Sequence, residues 1–451
     1  MFGQLVTIAR NTFIESVRQP VFFVLVALCG VLQIFNTWGT NFALGYTESG
    51  EVSSDNKLLL DVGLATVFVC GMLLAAFIAT AVISREIENR TVLTVVSKPV
   101  PRPIVVLGKY FGAAGAVAIA VTTMLLFLML AIRHEVMSTS ADDLDRPVLL
   151  FTFIAVFLAF AVGTWCNFFY GWVFSQTTTL LLLPLTAAAY LGVLLVSKKW
   201  EFQDITTDFK PQIALASLCV LMALMVLTAV ATAASARLGQ VMTIVVCAGV
   251  FVFGLLSNHF IGRHAFQNQI VARVLSSEPE RPDDPMLSEP GDRMKVTLLL
   301  EPRVPVPVGT PFYYGPNPNG FPLSVEPFQP FTGDIAEREQ ALNPAAPPSL
   351  AVVESNGREL TVRRLGGKGP LVRQPPQPND YVFIRTTRVR PLAVALWGII
   401  PNVQFFWLVD AVTQNQPIPA RHVGLVALYA LVQIGVFLAL AVILFQRREV
   451  G

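Results

Sequence analysis

Charge is what this sequence has least of. Of its 451 residues, 14% are charged and 54% are hydrophobic, and the mean hydropathy is +0.60. Water-soluble domains carry roughly a quarter charged residues, so the balance excludes an ordinary soluble protein and makes lipid the main solvent. The 32 Lys and Arg nearly cancel the 30 Asp and Glu, and without a basic excess no nucleic-acid partner is expected. Cysteine is also scarce. Cys29, Cys70, Cys166, Cys219 and Cys247 all sit in apolar runs, odd in number and without metal-ligand spacing, and read as small buried hydrophobes. The polar stretch 263–390 contains none, so it is no disulfide scaffold.

Catalytic signatures are missing too. No G-x-x-x-x-G-K-[ST] phosphate loop, G-x-S-x-G elbow or H-E-x-x-H zinc motif occurs. No catalytic, cofactor or metal site is therefore expected. The four histidines, His134, His259, His264 and His422, are scattered and read as polar edge residues.

What the chain has is apolar length. Runs of about 20 apolar residues can cross the hydrocarbon core of a bilayer. Eight are present: Pro20–Trp38, Leu59–Ile83, Tyr110–Ile132, Val148–Phe174, Thr179–Val196, Ile213–Ala234, Val241–Phe260 and Val423–Phe445. The first is not a cleaved secretory signal, since no small-residue cleavage site follows it. Inside the runs Asp, Glu, Lys and Arg are absent apart from Asp61 at an edge. Ion-coupled carriers and charge-selective channels need such groups midway across, so both classes are disfavoured. Gly112, Ala113, Ala114, Gly115 and Ala116 suit close helix packing. Asn167 and Gln433 read as interhelical hydrogen-bonding groups, with a place in a transport pathway as the alternative.

Residues 1–19 form a separate piece. Phe2, Leu5, Ile8, Ala9, Phe13 and Val17 recur at helical steps, Arg10 and Arg18 lie among the polar positions, and Pro20 follows. An amphipathic helix with these features is expected to lie on the cytoplasmic membrane surface. Arg10 and Arg18, the group Arg85, Arg90, Lys98, Arg102 and Lys109, and Arg447 with Arg448 all fall on one side if eight spans are counted. Basic residues favour the cytoplasm, which places both termini there. Lys198, Lys199 and Lys210 fall on the other side and are the exception.

The same parity puts 263–390 outside the cytoplasm. This stretch is rich in proline and contains β-like runs at Met294–Leu300, Leu350–Val353, Glu359–Arg363 and Tyr381–Thr387, with Asn356-Gly357 as a hairpin turn. The predicted fold is an all-α polytopic membrane bundle of about eight helices with an inserted extracytoplasmic β-rich domain. Residues 20–262 hold spans one to seven. Residues 391–420, aromatic and broken by Pro401, read as an interfacial or re-entrant segment, and 421–451 hold the last span and a cytoplasmic tail.

One loop, 84–109, combines features that suit docking. Arg85, Glu86, Glu88 and Arg90 crowd one turn at the end of the second span, Val92, Leu93, Val95 and Val96 follow, and Pro99, Pro101 and Pro103 stop the run. A short helix with charged and apolar positions can fill a groove on a soluble partner; a solvated loop is the alternative. The order Glu86, Glu88, Thr91, Ser97, Lys98, Pro99, Arg102, Leu107, Gly108 and Lys109 resembles the ABC-2 family of transporter permeases, departing at Arg90, where the family often has Gly, and Leu93, where it often has Glu. The surface helix and the ending Leu444–Gly451 are similar to its NosY-like branch. The resemblance implies a transport subunit that is not itself an enzyme. It also implies a dimer of permease subunits in the cell inner membrane, favoured for export. Separate ABC ATPase subunits would dock at Arg85, Glu86, Glu88, Arg90, Thr91, Val92, Leu93, Lys98, Pro99, Arg102 and Lys109. Membrane lipid and an envelope partner of the outer domain complete the expected contacts. Two other readings remain open, a subunit that passes motion to the outer domain without moving a substrate, and a membrane scaffold.

Overall fold

The computed structural model describes residues 2–39, 54–84, 101–136, 144–282, 284, 287–302, 304–315, 335, 337–343, 345, 348–367, 375–385, 388–409, 412 and 418–446. It divides into two units, Met1–Leu255 with Pro401–Gly451, and Leu256–Ile400.

The first unit is helical. Helix α1 is Phe2–Arg18, α2 is Pro20–Gly39, and α3 is Ser54–Ala79, continued by a π-helical turn at Thr80–Ser84. Then come α4 at Arg102–His134, α5 at Arg146–Tyr170, α6 at Phe174–Leu195, the short α7 at Ile205–Asp208 and α8 at Pro211–Ser235. Helix α9 spans Gln240–Ser257, and α10, in the second unit, is Pro391–Ile399. The last, α11, is Ala420–Gln446. Among the described residues, eight helices are long and apolar enough to cross a membrane, and each of the eight expected runs overlaps one of them. Pro103, Pro147, Pro211 and Pro391 occupy first turns, where the missing N–H costs nothing.

Among the boundaries that differ from the expected ones, two stand out. The fourth run does not reach Phe174. It ends at Tyr170 because Gly171 takes a left-handed conformation (φ 66°) and closes the helix, its N–H donating to Asn167 O. Asn167 takes part in this cap, its Nδ2 donating to Trp172 O at 2.6 Å. The third span starts before Tyr110, at Arg102. With 33 residues, α4 is about 50 Å long and exceeds a hydrocarbon core of about 30 Å.

The centre of the bundle is α3, α4 and α8, joined by Leu64, Phe68, Leu74, Val117, Met124, Leu128, Val220 and Leu224. Lipid is as apolar as these side chains, so close packing rather than water exclusion holds the helices together. Glycine provides the closeness: a Cβ on Gly63 would lie 2.3 Å from Leu128 Cδ1, and one on Gly71 2.6 Å from Leu224 Cδ1. Side-chain amides add directional links, Gln33 Nε2 donating to Gly63 O and Asn36 Nδ2 to Leu59 O, each at 2.9 Å. All five cysteines are buried free thiols, as expected. Gln433 is buried and hydrogen-bonded to Tyr429, one turn away on its own helix. By contrast, α5, α9 and α11 expose large apolar side chains such as Phe153, Phe157, Phe253 and Leu431, as lipid-facing helices do.

An ionic cluster closes the His134 end of α4. Arg133 pairs with Asp145 at 2.6 Å and Asp208 at 2.8 Å, and Lys198 pairs with Glu135 at 2.8 Å. Asp145 is also the N-cap of α5, accepting from Val148 N. Lys198, one of the three lysines that broke the charge pattern, thus has a carboxylate partner.

The second unit is a β structure. Its strands are β1 at Phe266–Gln267, β2 at Ile270–Pro279, β3 at Arg293–Leu298 and β4 at Tyr313–Gly315. Strand β5 is Ser349–Asn356, β6 is Glu359–Leu365, β7 is Tyr381–Phe383 and β8 is Arg388–Val389. Strands β1 and β8 form a two-stranded ribbon, and the other six pair antiparallel in the order β4-β7-β2-β3-β6-β5. This sheet closes on itself. The residues just before β4 pair with β5, with Phe312 N donating to Leu350 O, Val352 N to Thr310 O and Gly309 N to Val352 O. That pairing covers the outer side of β5 over Leu350–Val352. The expected runs all carry strands, and Gly357 (φ 60°) makes the β5–β6 turn with Asn356 as the last strand residue opposite Glu359. Alternation fills the barrel with Met294, Val296, Leu298, Leu360 and Val362. Arg364 continues that inward series. Fully buried, it donates from Nη1 to Leu287 O and from Nη2 to Gly367 O, and Asp292, Glu289 and Asp284 offset the cost of burying its charge.

Candidate coupling site

The residues expected to receive a partner span the junction between α3 and α4. Arg85, Glu86, Glu88, Arg90, Thr91, Val92, Leu93, Lys98 and Pro99 lie outside the described residues. Arg102 and Lys109 lie inside them, and both are helical: α4 starts at Arg102, so 102–109 forms its first two turns rather than a loop. Seven positions apart, they share one side of the helix.

Lys109 is not a surface residue. Its side chain is buried (7% exposed), and Nζ donates to Val82 O at 2.7 Å. The acceptor belongs to the π-helical turn Thr80–Ser84 that continues α3. Lys109 therefore ties the start of α4 to the turn that continues α3.

Helix α1 clamps the same place. A Cβ on Gly108 would lie 2.8 Å from Ile8 Cβ and 3.2 Å from Leu5 O, and one on Gly112 would lie 2.4 Å from Ala9 O. Only glycine lets the two backbones come so near. The side of α1 facing inward differs in part from the expected apolar stripe. Thr12, Ser16 and Val17 are buried while Phe2 is exposed, because small side chains fit at the crossing and Ser16 satisfies its hydroxyl on Thr12 O at 2.7 Å.

Two further cations reach the end of the last helix. Arg102 Nη1 donates to Gln446 O at 2.9 Å and Arg237 Nε to Leu444 O at 3.0 Å, again a positive group on C-terminal carbonyls. Arg18 Nε donates to Gln176 Oε1 at 2.9 Å, linking α1 to the start of α6. The ends of α1, α3, α8 and α11 and the starts of α4 and α6 are thus fastened together.

The frame residues Val82, Thr12, Ser16, Arg237 and Gln446 have no motif of their own and were not expected. Gly108-x-x-x-Gly112 is the signal that marks the α1 crossing, since paired small residues one turn apart permit such approach.

No curated protein and no solved structure matches this chain. Residues 6–166, which run from α1 into α5 and include the whole junction, match the family model described as ABC-2 family transporter protein.

Proposed function

We propose that the chain is the membrane-spanning permease subunit of an ABC-2 type exporter, powered by a separate ATP-hydrolysing subunit. The observation that carries this reading is the family match over residues 6–166, which includes a junction whose flanks are fastened to several spans. In the proposal, 85–96 forms the coupling helix, Glu86 and Glu88 pair with basic groups of the ATPase, and Val92 and Leu93 fill its groove. Lys109, Arg102 and the α1 clamp then convey the displacement to α3, α4 and α11. The Arg18, Arg102 and Gln446 end of the bundle faces the cytoplasm of an inner-membrane protein, and a second permease completes the assembly.

The test is charge reversal. Glu86→Arg and Glu88→Arg, in complexes that still assemble, are expected to leave ATP hydrolysis running while transport falls at least tenfold. Full coupling in both variants would overturn the assignment.

A second reading rests on the closed barrel of the second unit, a folded body with its own core. In it, ATP-driven motion passes through the spans to that unit, which acts on an envelope partner, and no substrate crosses. Export that persists after removal of 273–388 would exclude it.

A further inference from the structure

The short helix α10 has two unlike faces. Trp397 is buried and Val394 half-buried, and the helix packs on Asn258–Gly262. The other side is wholly apolar and open: Leu392 is 82% exposed, Leu396 62% and Ile399 61%. These three repeat at steps of four and three, so they form one stripe about 10 Å long. Asn258–Gly262 belongs to the last turns of the candidate span Gln240–Ala265.

A basic collar stands at the start of the stripe. Strands β1 and β8 pair Phe266 with Val389 and Gln267 with Arg388, and Arg390 N donates to Ala265 O at 2.9 Å. That pairing gathers Arg263, His264, Arg388 and Arg390, all exposed, at one neck. Neither 256–267 nor 388–409 contains an acidic residue, so the collar's charge is uncompensated by its own segments.

We propose that this neck is a lipid-binding surface: α10 lies in the membrane interface with Leu392, Leu396 and Ile399 among acyl chains, while Arg263, Arg388 and Arg390 hold the phosphates of anionic lipids. An apolar face beside a cationic rim is the pattern of interfacial helices, and guanidinium groups bind phosphate in a forked geometry. The lipid would anchor the entry and exit strands of the barrel unit.

The experiment uses the full chain in nanodiscs of phosphatidylcholine, with or without one quarter phosphatidylglycerol. Spin labels are placed by cysteine substitution at Leu396 and, as a control, at the exposed Glu354 of β5; the native cysteines are buried. Collision with oxygen is expected to exceed collision with a water-soluble nickel chelate several-fold at 396 and to reverse at 354. Equal nickel access at both positions, or a label at 396 shielded from both reagents, would overturn the apolar half. Phosphatidylglycerol is expected to raise the melting temperature of the wild-type chain, and the combined variant Arg263→Glu, Arg388→Glu, Arg390→Glu is expected to lose that rise. The same rise in the variant, or none in the wild type, would overturn the phosphate half.

Discussion

Gly112 and Gly115 lie on the same helix one turn apart, yet only the first touches a backbone. A methyl on Gly112 would sit 2.4 Å from Ala9 O, whereas at Gly115 the nearest atom is Phe13 Cδ2 at 3.6 Å. Alanine at 115 should therefore gain up to about 1 kcal/mol of helix propensity. Alanine at 112 should lose about 1–3 kcal/mol to overpacking, and equal shifts in thermal unfolding of the two variants would contradict the clamp. Asp380 gives a pH signature in the barrel unit. Burial raises its carboxyl above the ordinary range, partly offset by the hydrogen bond from Gln377 N. A raised acid pKa means the folded state binds the proton more tightly. Relative to Asp380→Asn, the wild-type unit should thus gain stability as pH falls from neutral through the native pKa, and be fully relieved below the unfolded pKa. A difference in melting temperature that does not change with pH would refute this. The burial of Lys109 could not be read from its neighbours in sequence, because its acceptor, Val82, lies on another helix.

Among elements, the spans were legible because lipid tolerates little polarity, so twenty-residue apolar runs leave few alternatives. Their ends were less so. Gly171 and the early start of α4 at Arg102 depend on backbone conformation that hydropathy does not encode. In the barrel, period-two alternation located β3 and β6, but closure through 309–312 rests on pairing between distant segments. The Arg133–Asp145–Asp208 cluster joins α4, α5 and α7. Asp145→Ala removes both a helix cap and a buried counter-ion, leaving Arg133 with Asp208. It should cost about 2–4 kcal/mol, measured by denaturation in detergent. A loss no larger than that of a surface ion pair, under about 1 kcal/mol, would show that the cluster is not buried in solution.

At the scale of the whole molecule, the family match over 6–166 includes the α3–α4 junction. The structure adds a mechanical frame around it: Lys109 on Val82, α1 seated on Gly108 and Gly112, and Arg102 and Arg237 on the end of α11. Transport coupling in this account depends on an ATPase resting on 85–96. The direct measurement is photo-crosslinking in native membranes, with a benzophenone amino acid at Val92 and, for comparison, at Leu396. The expected result is an adduct between Val92 and a nucleotide-hydrolysing subunit that the Leu396 position does not give. Crosslinking at Val92 that captures only lipid or water-exposed background, with the ATPase absent, would contradict it.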